Sequence, residues 1–177
     1  MTPTVLVRPA SIADAEILAA LGARTFAETF AEDNSAEDMD AYLKSAFSPA
    51  RTAEELADKA SVFFIAEVEG EAAGYAKLRA TAQPPSCVEG ESAIELARLY
   101  VGQQWLGRGV GQALMQRCVD EARRAGAQVM WLGVWERNSR AQAFYLRWGF
   151  RRVGEQTFML GSDAQTDWVM QCELSLK

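Results

Sequence analysis

The segment Leu106-Gly107-Arg108-Gly109-Val110-Gly111 constrains this chain more than any other. Its alternating glycines stand between an apolar run at 94–101 and a stripe of Val110, Leu114, Cys118 and Ala122 at helical spacing. Side chains are missing where the backbone must leave a strand and enter a helix, so the predicted unit is strand, glycine loop, helix, ending before Gly126. The first amide hydrogens of such a helix have no internal partner, and the helix dipole adds positive potential, so phosphate is drawn there. Arg108 places a mobile cation beside those donors. A pyrophosphate fits this pattern, while a tight turn with close packing accounts for the same glycines without any ligand. Two nucleotide motifs are excluded: the Lys and Ser/Thr ending of a Walker loop is absent, and the glycine spacing is not that of a Rossmann fingerprint.

The remaining segments supply a frame for that unit. Residues 4–8 read as a short strand, and Ser11 with Asp14 has the spacing of a cap for a helix running toward Phe30. That helix would place Ile12, Ala15, Leu18, Ala19, Gly22 and Phe26 on one side. Residues 35–47 and 48–58 repeat the cap-then-helix pattern, the second with Pro49 at the first helical position. The runs 62–68 and 73–78 around Glu69-Gly70-Glu71 predict an antiparallel hairpin, after which Gln83-Pro84-Pro85 breaks the chain. Residues 129–134 are continuously apolar, as a strand covered on both faces should be, and Asn138 opens a helix that stops at Trp148-Gly149. Two strands, 151–158 and 167–174, close the chain, joined by a loop at 159–166. No repeat, low-complexity tract or linker interrupts this order, so residues 1–177 form a single mixed α/β domain with helices on both sides of a sheet.

Composition narrows the chemistry. The net charge of −6, from 18 basic and 24 acidic residues, repels a phosphate backbone and argues against nucleic acid as a partner. There is no histidine, which removes His-based triads and the commonest general base near neutral pH. Acid–base work falls to Glu, Asp, Tyr, Lys or Cys. Cys87, Cys118 and Cys172 are widely spaced and form neither a disulfide framework nor a zinc set, so reduced thiols and no metal are expected. The first residues lack a basic stretch followed by a long apolar run, and no segment reaches about 18 uninterrupted apolar residues. No membrane association is expected, and the cytoplasm is the expected location.

A second constellation, Asn138-Ser139-Arg140-Ala141-Gln142-Ala143-Phe144-Tyr145, runs on to Gly149-Phe150. Taken in order, strand, LGRGVG, helix, strand and NSRAQAFYLRWGF resemble the two central motifs of the GNAT acetyltransferase superfamily. ELARLYV at 95–101, WLGVWERN at 131–138 and FMLGSDAQTDWVM at 158–170 are similar to the PaiA-type polyamine acetyltransferases. TFAETF at 25–30 and VFFIAEVEGEAAGYAKL at 62–78 suit the same group, so the resemblance covers most of the chain. One position departs from the pattern: Leu106 stands where the superfamily usually has Gln or Arg, with Gln103 and Gln104 slightly upstream.

The resemblance implies a GNAT fold: a central, mostly antiparallel, twisted sheet of about seven strands with splayed fourth and fifth strands and helices on both faces. It implies transfer of acetyl from acetyl-CoA, the co-substrate, to a small-molecule primary amine, with a polyamine leading. Main-chain groups of Leu99, Tyr100 and Val101 would pair with pantetheine, and an amide there would polarise the thioester carbonyl. Leu106, Gly107, Arg108, Gly109, Val110 and Gly111 would hold the pyrophosphate, and Asn138 and Ala141 the coenzyme arm. Tyr145 falls at the general-acid position, where a phenol is protonated at pH 7; the plain alternative is an aromatic on the buried face of a short helix. Glu95 falls where some members carry a glutamate base; a solvated strand-start residue and ordered water are the alternatives. Glu28 and Phe30, with Glu32 and Asp33 beyond them, could shape the amine pocket or simply be solvated helix-end residues. Trp131, Trp135 and Trp148 read as core aromatics rather than ligand stackers. Two other functions stay open, a protein N-terminal or lysine acetyltransferase and a non-catalytic acyl-CoA-binding module, although Tyr145 argues against the second. A homodimer is compatible with the sequence.

Overall fold

The computed structural model describes residues 2–80 and 83–174. Strand β1 (Val5–Pro9) leads through a 3-10 turn at Ile12–Asp14 into helix α1 (Ala15–Phe30). Asp14 accepts a bond from the Ser11 amide at 2.9 Å, and Arg8 clamps the same carboxylate at 2.9 and 3.1 Å, fastening β1 to α1 at their junction. Helices α2 (Ala36–Ala46) and α3 (Pro49–Ala57) each start at a serine, whose hydroxyl accepts from the Asp38 or Arg51 amide at 3.1 Å. Strands β2 (Ser61–Val68) and β3 (Glu71–Ala80) are joined by Glu69-Gly70, both with positive φ (52° and 83°), the geometry a two-residue hairpin turn requires.

Strand β4 (Ala93–Val101), helix α4 (Val110–Arg124), strand β5 (Val129–Trp135) and helix α5 (Ser139–Arg147) follow, then strands β6 (Arg151–Leu160) and β7 (Asp163–Glu173). The last hairpin corrects the expectation from sequence. Only Gly161 and Ser162 separate β6 from β7, and 159–166 is not a loop but the tip of a strand ribbon. The tip is held from α2: Asp38 accepts from both the amide and the hydroxyl of Ser162 at 2.9 Å. Polar residues can remain strand here because backbone pairing, not an apolar face, carries the ribbon.

The seven strands form one sheet in the order β1-β2-β3-β4-β5-β7-β6. Every neighbouring pair is antiparallel except β4 and β5, which are parallel and pair only where Ala93, Ile94 and Glu95 meet Val129, Met130 and Trp131. Beyond those pairs the two strands diverge, as the sequence resemblance implies. A bulge begins the divergence: Leu78 pairs with Leu96 and Lys77 with Arg98, so Ala97 is an extra residue that bends and twists β4.

Side-chain alternation divides the core between the two faces. Ala76, Leu78, Leu96, Met130 and Leu132 pack against Leu114, Met115 and Cys118 of α4. The opposite face buries Phe63, Ile65 and Tyr75 under Leu18 and Leu21 of α1, with Phe26, Met39, Phe47 and Leu160 forming a separate cluster. Each such large side chain contributes about 1.5–3 kcal/mol by leaving water. Among the described residues no helix is long and apolar enough to cross a membrane. Cys118 and Cys172 are buried, and all three cysteines are unpaired thiols.

Gly74 on β3 controls how closely β4 approaches. A Cβ built there would fall 2.5 Å from the Tyr100 carbonyl oxygen and 3.2 Å from the Val101 Cα, both backbone atoms of β4. Gly74→Ala must therefore displace the end of β4 that borders the gap. It is expected to lower stability by about 1–3 kcal/mol in denaturant unfolding; unchanged stability would show that β4 shifts there without cost.

Candidate active site

Where β4 and β5 part, a cavity of about 970 Å³ opens, lined by residues from both faces of the sheet. Leu99, Phe144 and Tyr145 line it on the α4 and α5 side; Phe26, Tyr42 and Phe158 line it on the other. The gap thus joins two half-sites of different character.

On the first side, Gly107 and Gly109 have φ of 75° and 85°, and nothing lies within 4 Å of a Cβ built on either. Their backbone conformation would be strained with any side chain, and the space over them is open. Gly111 serves another purpose: it lies inside α4, where a Cβ would come 3.5 Å from the Phe144 ring. The amides of Val110, Gly111 and Gln112 precede the first helical bond at this end, from the Ala113 amide to Gly109 at 3.0 Å. The Val110 side chain is buried in the core, so this residue offers only its main chain. Arg108 is exposed and lies over the Trp105 ring at 5.6 Å, and Leu106 puts an apolar side chain on the cavity wall. Asn138 caps α5 by accepting from the Ala141 amide at 3.2 Å, and both residues line the cavity. The sequence reading missed Arg140 and Arg147, which also line it; their separation by two helical turns was the available signal.

Along β4, Leu99 and Val101 pack toward α4. Tyr100 points the opposite way, into the rings of Tyr75, Phe47 and Phe26 at 5.5, 6.2 and 6.5 Å. Its side chain is part of the core beneath α1, and only its backbone belongs to the strand edge.

Tyr145 is buried, with Phe144 and Phe150 each 5.6 Å away by ring centroids, and it lines the cavity. Burial pushes its phenol above the ordinary range and keeps the proton on oxygen at neutral pH. Glu95 is buried rather than solvated, accepts a bond from Arg79 Nε at 2.8 Å and also lines the cavity. Glu28 accepts from the Gln103 amide at 2.9 Å, tying α1 to the connection that leads into the glycine loop. The Phe30 ring packs at a tilt against Phe26 at 4.4 Å and Trp135 at 5.3 Å on the cavity wall. Glu32 is exposed and lines neither cavity; Asp33 lines a smaller cavity of about 190 Å³ that shares Trp135 and Gln165 with the main one. Trp131 and Trp135 are buried, as core aromatics are, and also line the cavity; Trp148 packs beside Phe144 at 6.4 Å.

Three charged residues on the second side, Arg98, Lys77 and Asp167, were not singled out from sequence. Arg98 and Lys77 reach the cavity but are held by the buried Glu55 carboxylate, at 2.9 and 2.8 Å. Burial alone would raise the Glu55 carboxyl; Arg98 and Lys77 outweigh it and hold it below its usual range. Asp167 on β7 is different. It is 9% exposed, the Gln156 side-chain amide lies near it over Gly133, and among the described residues no salt bridge engages its carboxylate. Burial pushes it up to about 6. Among the described residues no group of three or more His, Cys, Asp or Glu side chains could hold a metal ion.

The sequence profile of the acetyltransferase (GNAT) family matches residues 22–150. The chain belongs to the GNAT family. An uncharacterized N-acetyltransferase of Lactobacillus delbrueckii subsp. lactis is 36% identical over 152 residues, 86% of this chain and 87% of that protein. Another, from Mycobacterium tuberculosis, is 36% identical over 162 residues, 91% of this chain and 98% of the relative. The fold is similar to that of the PaiA N-acetyltransferase from Thermoplasma acidophilum, solved in complex with coenzyme A: TM-score 0.78, 20% identity, 96% of this chain and 99% of the other. This GNAT chain is accordingly an acetyl-CoA-dependent N-acetyltransferase.

The Asp167 shift fixes a sign for stability. A carboxyl whose folded value lies above its unfolded one favours the protonated folded state, so stability falls as pH rises from about 3.8 to about 6. Asp167→Asn is expected to melt higher than the parent at pH 7.5, with the difference shrinking toward pH 4. A lower melting temperature at pH 7.5 would mean that the carboxylate has a stabilising partner in solution.

Proposed function

We propose that this enzyme acetylates a primary amine of a small molecule, with acetyl-CoA in the first half-site and the amine in the second. The observation that carries the reading is the single cavity running through the β4–β5 gap, with anion-seeking amides on one side and an aromatic, carboxylate-bearing chamber on the other. Open space over Gly107 and Gly109 fits a diphosphate approaching the backbone closely, and the α4 amides are the donors it would meet. Arg108 beside the loop and Arg140 and Arg147 on the cavity wall supply positive charge, which offsets the missing Gln or Arg at Leu106. Main-chain groups of Leu99, Tyr100 and Val101 on the free edge of β4 would pair with pantetheine, and Asn138 and Ala141 would border its arm. The fold-level likeness to the Thermoplasma protein, whose structure contains coenzyme A, supports this donor placement.

Bound acetyl-CoA supplies the thioester. A β4 amide polarises its carbonyl, and Tyr145, kept protonated by burial, donates to the departing sulfur. Glu95 is already bonded to Arg79, so in this reading it receives the amine proton through ordered water.

A small acceptor is favoured over a peptide chain because the second half-site is roofed. Asp38 of α2 binds the Ser162 tip of the β6–β7 ribbon, and Gln165 of the ribbon donates to Asn34 ahead of α2. A groove for a peptide would need to be open at both ends. Glu28 and Phe30 border the chamber. The finer reading is a polyamine. Its support is the adjoining smaller cavity, where Asp33, Glu136 and Asp163 outnumber the one cation, Arg137, so a second ammonium would find net negative charge.

Thiol release from acetyl-CoA, followed with spermidine, butylamine and a lysine-containing peptide, tests the reading. Both amines should turn over faster than the peptide, spermidine fastest, and Tyr145→Phe should lower turnover ~10²–10⁴-fold with acetyl-CoA affinity nearly unchanged. Faster peptide acetylation would transfer the assignment to protein acceptors, and a loss under fivefold in the variant would remove Tyr145 as the acid.

A further inference from the structure

The acceptor side holds one charged group that the proposed reaction has not yet used. Asp167 is more than nine-tenths buried, lines the cavity, and lies at the β7 position paired with Trp135 of β5 and Gln156 of β6. Beside it the Gln156 side chain of β6 lies over Gly133. A Cβ built on Gly133 of β5 would come within 3.2 Å of Asp167 Oδ2 and would collide with the Gln156 amide. Gly133 does not have positive φ, so its missing side chain is not needed for a turn; it makes room for the Gln156 amide beside the carboxylate.

An ionised carboxylate buried without a countercharge lowers stability. The groups around it do not neutralise it. From α2, Tyr42 presents a neutral phenol that lies within the field of both Arg98 and Asp167. Arg98 on β4 is bonded to Glu55, and Glu95 on the same strand to Arg79. β5 contributes Trp135 and Gly133, β6 contributes Gln156, and α1 contributes Phe26 and Phe30, none of which is charged. The charge missing from this chamber is a single cation with donors to offer, and a protonated primary amine has that chemistry. Phe30, Tyr42, Trp135 and Phe158 would flank its methylene carbons.

Resting on the function proposed above, we propose that Asp167 is the catalytic residue that binds the acceptor ammonium and takes its proton. One N–H bond of the ammonium breaks as an O–H bond forms on Asp167, and the freed nitrogen lone pair makes the C–N bond to the acetyl carbon while the C–S bond breaks. The sulfur takes the phenol proton of Tyr145. The second nitrogen proton, released once the C–N bond has formed, passes through water by way of Glu95 to restore that phenol, and Asp167 returns its own to solvent. One proton thus ends on the thiol and one in bulk water. A carboxyl titrating at about 6 is ionised at neutral pH and still basic enough for this work.

The test is the pH dependence of kcat/KM for spermidine and for butylamine at saturating acetyl-CoA, in the parent enzyme, Asp167→Asn, Asp167→Glu and Glu95→Gln. Calorimetric acetyl-CoA affinity and melting temperature are measured alongside. The parent should show an acidic limb with its midpoint near pH 6 for both amines. Asp167→Asn should lose that limb and ~10²–10³-fold of kcat/KM, with acetyl-CoA affinity within about twofold, and Asp167→Glu should recover part of the rate. A limb that persists in Asp167→Asn, vanishes in Glu95→Gln, or accompanies a rate loss under fivefold overturns the assignment while leaving the acetyltransfer reading intact. A parent that binds acetyl-CoA yet acetylates no amine overturns both.

Discussion

Strands β4 and β5 are hydrogen-bonded neighbours for only three residue pairs, yet each continues well past that point on its other side. β4 remains paired with β3 as far as Val101, and β5 with β7 as far as Trp135. The two facing edges therefore carry backbone donors and acceptors that the sheet does not satisfy. Closing the gap would pair those groups and remove the cavity. The extra residue at Ala97 sets β4 on its diverging course, while Gly74 lets the same strand lie close to β3. A ligand with its own amides can satisfy the open edge, so the gap becomes a place to bind an extended molecule across the sheet.

The two half-sites differ in how they generate charge. On the α4 side positive potential comes from the backbone and from arginines at the rim, an arrangement suited to phosphates that stay partly hydrated. On the α2 side aromatic rings line the chamber, and among the described residues no cation pairs with Asp167. The net charge of −6 predicts neither arrangement, because a ligand inside a cleft responds to the few groups within a Debye length, roughly 8–10 Å. Tyr145 and Asp167 are both raised by burial, and in the proposed reaction the same shift serves opposite ends: one keeps a proton to give, the other gains the basicity to receive one.

Much of the frame was legible in the sequence because its signals are local. Alternating glycines beside an apolar run, serines ahead of helices and the uninterrupted 129–134 strand each depend on residues a few positions apart. The acceptor side was less legible because it depends on register and tertiary packing. Glu95 looks like a solvated strand start until the β3–β4 register sets Arg79 opposite it. Residues 159–166 have no apolar alternation, so nothing nearby shows that β6 runs on to Leu160 and β7 starts at Asp163, or that Asp38, 124 positions away from Ser162, holds their tip. Asp167 is the extreme case. Read alone it is a polar residue at the start of a strand, and it becomes a buried carboxylate only when α2 and the aromatic wall close over it.

The most direct test of the central claim asks whether backbone amides of the gap and the glycine loop take up the donor. Residue-resolved amide hydrogen exchange with and without coenzyme A reads them one by one. The account predicts slower exchange at 99–101 and 107–112 in the complex, with little change in the β1–β2 half of the sheet. Saturating coenzyme A that leaves those amides exchanging as before, or that protects a surface elsewhere, would contradict it.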